Sequence, residues 1–318
     1  MKAAQPHREN SSGVSATRYG IQKTESVNVI KLRLVVVHAG ALAALFMPFS
    51  WELVALLAAT FCVRMFAVEA VYHRYFSHRA FKTSRAFQFV LACLAASSGQ
   101  RGALWWASNH RLHHRHSDTD ADLHTPLKGI WHAHWGWLVD ANNVDTNLDL
   151  IPDYARFPEL RLLNKFYHAP LVLLLIGLAV GGGNGWFGPH VGAWQAVLWG
   201  FFLSTALVLH ATLAVNSIAH SRARLAGYRR YATDDLSVNN PWLAILTMGS
   251  GWHNNHHRCG AAARAGFAWY EVDFSYLGLK ALAAVGLVWD LRPVPVDILR
   301  EGGLAPAQDN AARQAQAG

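Results

Sequence analysis

Asn109-His110-Arg111-Leu112-His113-His114 carries three histidines at i, i+3 and i+4. On an α-helix those offsets fall within one face, so the spacing predicts a helix that aims three imidazoles at a single spot. Neutral imidazole is the commonest transition-metal side-chain ligand. The same spacing recurs in His253-Asn254-Asn255-His256-His257, and a third pair, His73 and His78, closes an apolar segment far upstream. Three separated groups that converge offer more ligands than one metal needs.

Of 318 residues, 52% are apolar and 15% charged, a balance that points to the membrane rather than to an ordinary soluble domain. Thirteen tryptophans fit interfacial belts as well as cores. The three cysteines, Cys62, Cys93 and Cys259, match neither a zinc nor an iron–sulfur spacing, so any metal chemistry falls to the 18 histidines. A net charge of +8 fits cytoplasmic loops that obey the positive-inside rule, or a surface for an acidic redox partner or anionic substrate head. No nucleic-acid partner is expected.

Residues 1–28 are polar and read as a disordered cytoplasmic tail, and 301–318 as a second one. Between them the chain reads as one all-α membrane domain over 29–300, with spans at about 32–49, 51–71, 169–187 and 193–215. These form two hairpins. Residues 72–168 and 216–300 make a helical cap that holds the histidines, including the short apolar segments 87–98 and 277–288, which are too short to cross. The second hairpin tip has no charged residue, and the basic residues cluster in the tail and cap. Both termini and the histidine groups are therefore expected on the cytoplasmic side, in a bacterial inner membrane.

Eight clustered histidines plus His220 make nine, about right for two metals with four or five ligands each. All-nitrogen ligation suits iron, copper or zinc better than magnesium or calcium. No Glu-x-x-His pair is present, which argues against a soluble ferritin-like bundle. Apolar spans that end directly at the ligands imply an apolar substrate entering from the bilayer, and an oxidising centre there suits attack on an unactivated C–H bond.

His73–His78 (HRYFSH), His110–His114 (HRLHH), Asn216–His220 (NSIAH) and His253–His257 (HNNHH) resemble the histidine boxes of the membrane fatty acid desaturases, specifically the Δ9, stearoyl-CoA type branch and its bacterial relatives. The similarity runs from about Glu69 to Pro295. It implies a non-haem di-iron oxidoreductase that uses O₂ and two external electrons to introduce a cis double bond, at Δ9, into a saturated acyl chain. It assigns His73, His78, His110, His114 and His256 to one iron, and His113, His220, His253 and His257 to the other, with Asn216 holding a water. Zinc in these sites would be a non-native substitute, because it cannot change oxidation state.

Asp118, Asp120, Asp122, Asp234 and Asp235 are candidates to accept imidazole N–H groups and so fix the ligand nitrogen; helix capping or a solvated loop is the alternative. The resemblance puts Gln100 and Arg101 at the polar end of the acyl group, and Trp105, Trp106 and Trp135 either line the chain's slot or pack at the interface. Two departures stand out. Ser250 occupies a position where relatives carry glutamate, and Asp140-Ala141-Asn142-Asn143 replaces the basic residues of the acyl-CoA enzymes. Acyl-CoA, a carrier-protein thioester and an acyl lipid thus stay open as substrates.

Of the other nine histidines, His7, His38, His168, His190 and His210 read as having no metal role, and His116, His124, His132 and His134, in the cap close to the centre, either as surface or hydrogen-bonded residues or as supports for the ligands or contacts to the substrate. A lipid or terpenoid hydroxylase or ketolase shares the same oxidant, and product analysis separates it. A metal transporter would place ligands in mid-span, whereas these lie at span ends. With no haem module or cysteine cluster fused to the chain, electrons are expected from a separate ferredoxin or cytochrome b5-like donor with its reductase. Arg222, Arg224, Arg229 and Arg230 are its candidate docking residues.

Overall fold

The computed structural model describes residues 18–221 and 227–305. The chain is mostly helical, with two short antiparallel ladders, Ile21–Gln22 against Thr146–Asn147 and Lys82–Thr83 against Val288–Trp289. Among the described residues, three helices are long and apolar enough to cross a membrane: Val27–Ala44, Trp51–Ser77 and Ala193–Ile218. A fourth crossing is available if Pro158–Lys165 and His168–Gly183, bent by 64°, act as one span. Alone, the 16-residue His168–Gly183 helix falls short of the stretch expected at 169–187.

Local signals set the helix starts. The Ser26 and Ser50 side chains accept from the Val29 and Leu53 backbone N–H groups, satisfying orphan donors of the first two spans. The first span consequently begins at Val27, five residues before the apolar run that marks it in the sequence.

The tail expected over 1–28 needs correction from residue 18 onward; its first 17 residues lie outside the described ones. Tyr19 and Gly20 donate backbone N–H groups to Asp149 at 2.8 and 3.2 Å, and Glu25 forms buried ion pairs with Arg33 and Arg101, both at 3.1 Å. Polar composition looks like disorder when most of its partners, here Asp149 and Arg101, lie far along the chain. At the other end, Leu304 packs beside Tyr231 and Phe267, and 306–318 are outside the described residues.

Two helices widen into π turns. Ala67–Ser77 continues the second span, and Ala196–Leu203 lies within the last one. Arg64, 2% exposed, lies against the second of these, donating to Gly200 O at 3.3 Å and to Thr205 Oγ1 at 2.7 Å. The arginine thus ties the second span to the π turn of the last one. A Cβ on Gly200 would approach Leu178 and Leu56 to 3.1 and 3.2 Å, so glycine keeps these helices close.

Candidate metal centre

Ala103–His116 is the predicted histidine helix. Its start is pinned by Gly102, where a Cβ would lie 2.2 Å from Asn164 Oδ1, the atom that accepts from Trp105 N at 2.9 Å. His110 and His114 therefore face one side and His113 the next, since neighbouring residues diverge by about a sixth to a third of a turn. The pair His73 and His78 is joined differently. Five residues apart, they would diverge on an α-helix, but the π turn closes with His78 N–H donating to His73 O at 3.3 Å and brings the ring centroids to 5.1 Å.

Two groups of ring nitrogens result. One nitrogen each from His73, His78, His110, His114 and His256 lie within 4.8 Å of one another, and so do those of His113, His220, His253 and His257. In the first group the Nε2 pairs His73–His256, His78–His110 and His114–His256 are each 2.9 Å apart. In the second, His253 Nε2 lies 2.8 Å from His220 Nε2 and 3.0 Å from His257 Nε2, and the buried His113 Nε2 has no hydrogen-bond partner.

Carboxylates fix the far nitrogens. His73 Nδ1 donates to Glu69 Oε2 at 2.9 Å, His113 Nδ1 to Asp122 Oδ2 at 3.0 Å, His220 Nδ1 to Asp118 Oδ2 at 2.9 Å and His257 Nδ1 to Asp235 Oδ2 at 2.6 Å. Each aspartate is itself held: Asp122 by Asp118 N–H at 3.0 Å, Asp118 by Leu236 N–H at 2.6 Å, and Asp235 by the Thr233 hydroxyl at 2.8 Å. These contacts and the paired imidazoles hold the Asp122 and Asp235 carboxyls far below their usual range.

Counting protons tests whether a metal fits. With Nδ1–H committed to carboxylates, neutral His220 and His257 both present bare Nε2 lone pairs to His253 Nε2, which carries at most one proton. At least one contact near 3 Å then sets lone pair against lone pair. An extra proton would relieve it, but burial opposes the charge, driving the His253 imidazole well below its usual range and His257 down to about 4. A cation relieves it directly: two nitrogens about 2.1 Å from one ion and at right angles are separated by about 3.0 Å. The histidine cluster is thus capable of binding metal, with a donor set that suits a transition ion.

The other candidates separate clearly. Trp105 and Trp106 line a cavity of about 930 Å³, with Gln100, Arg101, Leu209 and Leu213, and it reaches His110 and Asn216. A smaller space of about 410 Å³, lined by His73, His113, His253 and again Asn216, lies between the two histidine groups. Gln100 Nε2 donates to Thr212 Oγ1 at 2.7 Å. Arg101 stacks over Trp105, its guanidinium 4.4 Å from the ring centroid, and donates to Thr24 Oγ1 and Val144 O at 2.7 Å.

Trp135 is not in that wall: its ring stacks on His210, centroids 5.6 Å apart. Trp137, two residues on within the turn Gly136–Val139, lines it instead. Asp120 and Asp234 are exposed and hold no histidine. The ordinary histidines keep ordinary partners, His190 with Glu52 at 2.9 Å and His38 with His210 at 3.0 Å. His124 is the exception, buried beside His113 at 4.2 Å between centroids and lining the larger cavity. In the sequence, only its place four residues before His73 on the same helix marks Glu69 as the acceptor for that histidine. Ser250 donates to Glu69 Oε2, so the carboxylate for His73 comes from the span.

Exchanging Asp235 for asparagine keeps the shape but lets the His257 ring turn over. Asp235→Asn is expected to weaken metal binding about 10–100-fold, read by competition with a chromogenic chelator. Asp234→Asn, exposed, leaves affinity unchanged.

The family model described as Fatty acid desaturase matches residues 24–284. The chain is 34% identical over 259 residues to an sn-1 stearoyl-lipid 9-desaturase from Anabaena variabilis, covering 80% of this chain and 90% of that one. It is 34% identical to a hex-5-enoyl-[acyl-carrier protein] acetylenase from Moorena producens (strain JHB), covering 77% and 78%. To an acyl-CoA 5-desaturase, AL21, of Anemone leveillei the identity is 32%, covering 82% and 78%. Paired histidine groups at the end of an apolar cavity, matched over most of the chain by such relatives, mean that it belongs to the fatty acid desaturase family.

Proposed function

We propose that this desaturase holds two iron ions, one by His73, His78, His110, His114 and His256, the other by His113, His220, His253 and His257 with Asn216 through a water, and introduces a cis Δ9 double bond into the acyl chain of a membrane lipid. The observation that carries the reading is the meeting of both histidine groups with the cavity at His110 and Asn216. Iron so bound supplies the redox chemistry that couples O₂ reduction to removal of two hydrogens. The chain's own residues do the rest. Apolar side chains of the first and last spans, such as Leu34 and Leu209, shelter the acyl chain from water, and Gln100 and Arg101 engage its polar end. The four carboxylates orient the imidazoles.

Δ9 and a lipid head group are supported by the relatives from Anabaena variabilis and Synechocystis, both named sn-1 stearoyl-lipid 9-desaturases. Four spans, one domain over 29–300 and a cap facing the cytoplasm of a bacterial inner membrane fit the distribution of basic residues. In a bacterial host fed a labelled saturated acid, the label is expected in lipid-bound saturated chains first and then as a 9-monounsaturated acid in the same lipids. A double bond arriving first in the thioester pool would overturn the lipid assignment, and a hydroxylated acid would favour the hydroxylase reading.

A further inference from the structure

A further cavity, of about 1000 Å³, shares no lining residue with the acyl cavity or with the space between the histidine groups. Gln88 stands in its wall, on the helix Arg85–Ala96, and is only 3% exposed. Its Oε1 accepts from the Tyr75 hydroxyl at 2.9 Å, whereas its buried Nε2 has no hydrogen-bond partner among the described residues. A buried amide donor left unpaired is costly, so this one calls for an acceptor inside the cavity.

The charged groups around Gln88 ask for the same thing. Arg85 and Lys82 are exposed and matched by Glu159 at 2.7 Å and Asp290 at 2.8 Å. Asp153 supplies the one carboxylate of the wall, and it is taken by Arg111 at 2.8 Å and by Arg79 at 3.5 Å. Arg156 and Arg292 also line the cavity, are exposed, and have no carboxylate partner among the described residues; Arg156 rests 4.8 Å from the Phe157 ring centroid. The cavity therefore offers donors and an excess of positive charge, a combination that suits a phosphate oxyanion. The basic run 222–230 differs in this respect: Arg229 donates to the Thr233 carbonyl at 2.7 Å, Arg230 pairs with Glu271 at 2.7 Å, and Arg222 and Arg224 lie outside the described residues.

Apolar groups at the rim say where that phosphate comes from. Phe89 and Val90, next to Gln88 on its helix, are exposed, and so are Leu287 and Trp289 on the strand that pairs with Lys82–Thr83. A soluble anion has no use for them, whereas a phospholipid brings glycerol and acyl chains to cover them, and tryptophan beside basic residues is the usual composition of a membrane interface. We propose that this cavity binds the phosphate of an anionic membrane phospholipid, at a site separate from the one that takes the acyl chain to be desaturated. Gln88 Nε2 and the Arg156 and Arg292 guanidiniums donate to the phosphate oxygens, and the lipid's apolar part lies along Phe89, Leu287 and Trp289.

The test uses the purified full chain in detergent, with dioleoyl phosphatidylglycerol, dioleoyl phosphatidylcholine and inorganic phosphate as probes. Two variants report on the cavity without touching a wall of the acyl cavity. The Arg156→Gln, Arg292→Gln variant removes exposed charge alone, and Gln88→Glu keeps an oxygen for the Tyr75 hydroxyl while replacing the donor by an anion. Titration by native mass spectrometry should give wild type a Kd for phosphatidylglycerol about tenfold below that for phosphatidylcholine, and both variants should lose most of that preference. Their lipid-free thermal midpoints should stay within about 2 °C of wild type; if Gln88→Glu falls further, the arginine variant decides alone. Equal affinity of wild type for the two lipids, or a preference that the arginine variant retains, overturns the proposal. Displacement of phosphatidylglycerol by inorganic phosphate at the same concentration overturns the lipid in favour of a soluble phosphate.

Discussion

A host expressing the His113→Ala, His257→Ala variant is expected to make no new unsaturated acid, whereas the wild-type chain changes the fatty acid profile. Both residues belong to the second histidine group, and each has its far nitrogen held by a carboxylate, Asp122 or Asp235. Removing two of four imidazoles leaves too few donors to hold an ion there, while the five of the first group are untouched. Bound metal should therefore fall from two per chain to about one, and helix content should stay the same, because neither helix depends on these side chains for its caps. The acyl product should drop below detection, at least 1,000-fold, since neither half of a paired site performs the other's part. Retained product with both imidazoles gone would mean that the second group is not part of the reaction.

The second large effect concerns stability. Glu69→Ala is expected to lower the thermal midpoint in detergent by on the order of 10 °C, from a loss of about 3–5 kcal/mol. Glu69 is 1% exposed and accepts from His73 Nδ1, from Arg74 at 2.8 Å and from Ser250. Without it, Arg74 keeps Asp273, at 3.0 Å, but loses half its counter-charge in a site with no water to replace it. Glu69→Gln, which can still accept one hydrogen bond, should fall between wild type and alanine. A midpoint within 2 °C of wild type for the alanine variant would show that the cluster carries no structural load.

These residues also mark where sequence reading succeeds. The i, i+3, i+4 spacing at His110 and His253 predicts helices that carry the clusters, and those helices form, but each triad divides: His113 parts from His110 and His114, and His256 from His253 and His257. His73 and His78 fit no α-helical face; a wide turn makes them neighbours, and no local pattern announces a π-helix. Among the aspartates, composition cannot separate Asp122 from Asp120 or Asp235 from Asp234, because the choice depends on which side of a loop meets an imidazole arriving from another element. The same holds for Trp135 and Trp137, two residues apart, where only the second lines the cavity. The segment from Arg18 was illegible for another reason: Glu25 is explained by Arg33 and Arg101, and the latter is 76 positions away. Apolar runs locate the candidate crossings but not their ends: the first helix starts at Val27 rather than 32, the second runs on to Ser77 rather than 71, and at Pro158–Gly183 a 64° bend divides one candidate crossing into two helices.

The most direct test of the account is the iron content and Mössbauer spectrum of protein purified from cells grown on ⁵⁷Fe. Two irons per chain in two distinct environments, one with five imidazoles and one with four, are predicted, with one environment lost in the His113→Ala, His257→Ala variant. A single iron per chain, or spectra that the double substitution leaves unchanged, would contradict the assignment of these nine histidines to two metals.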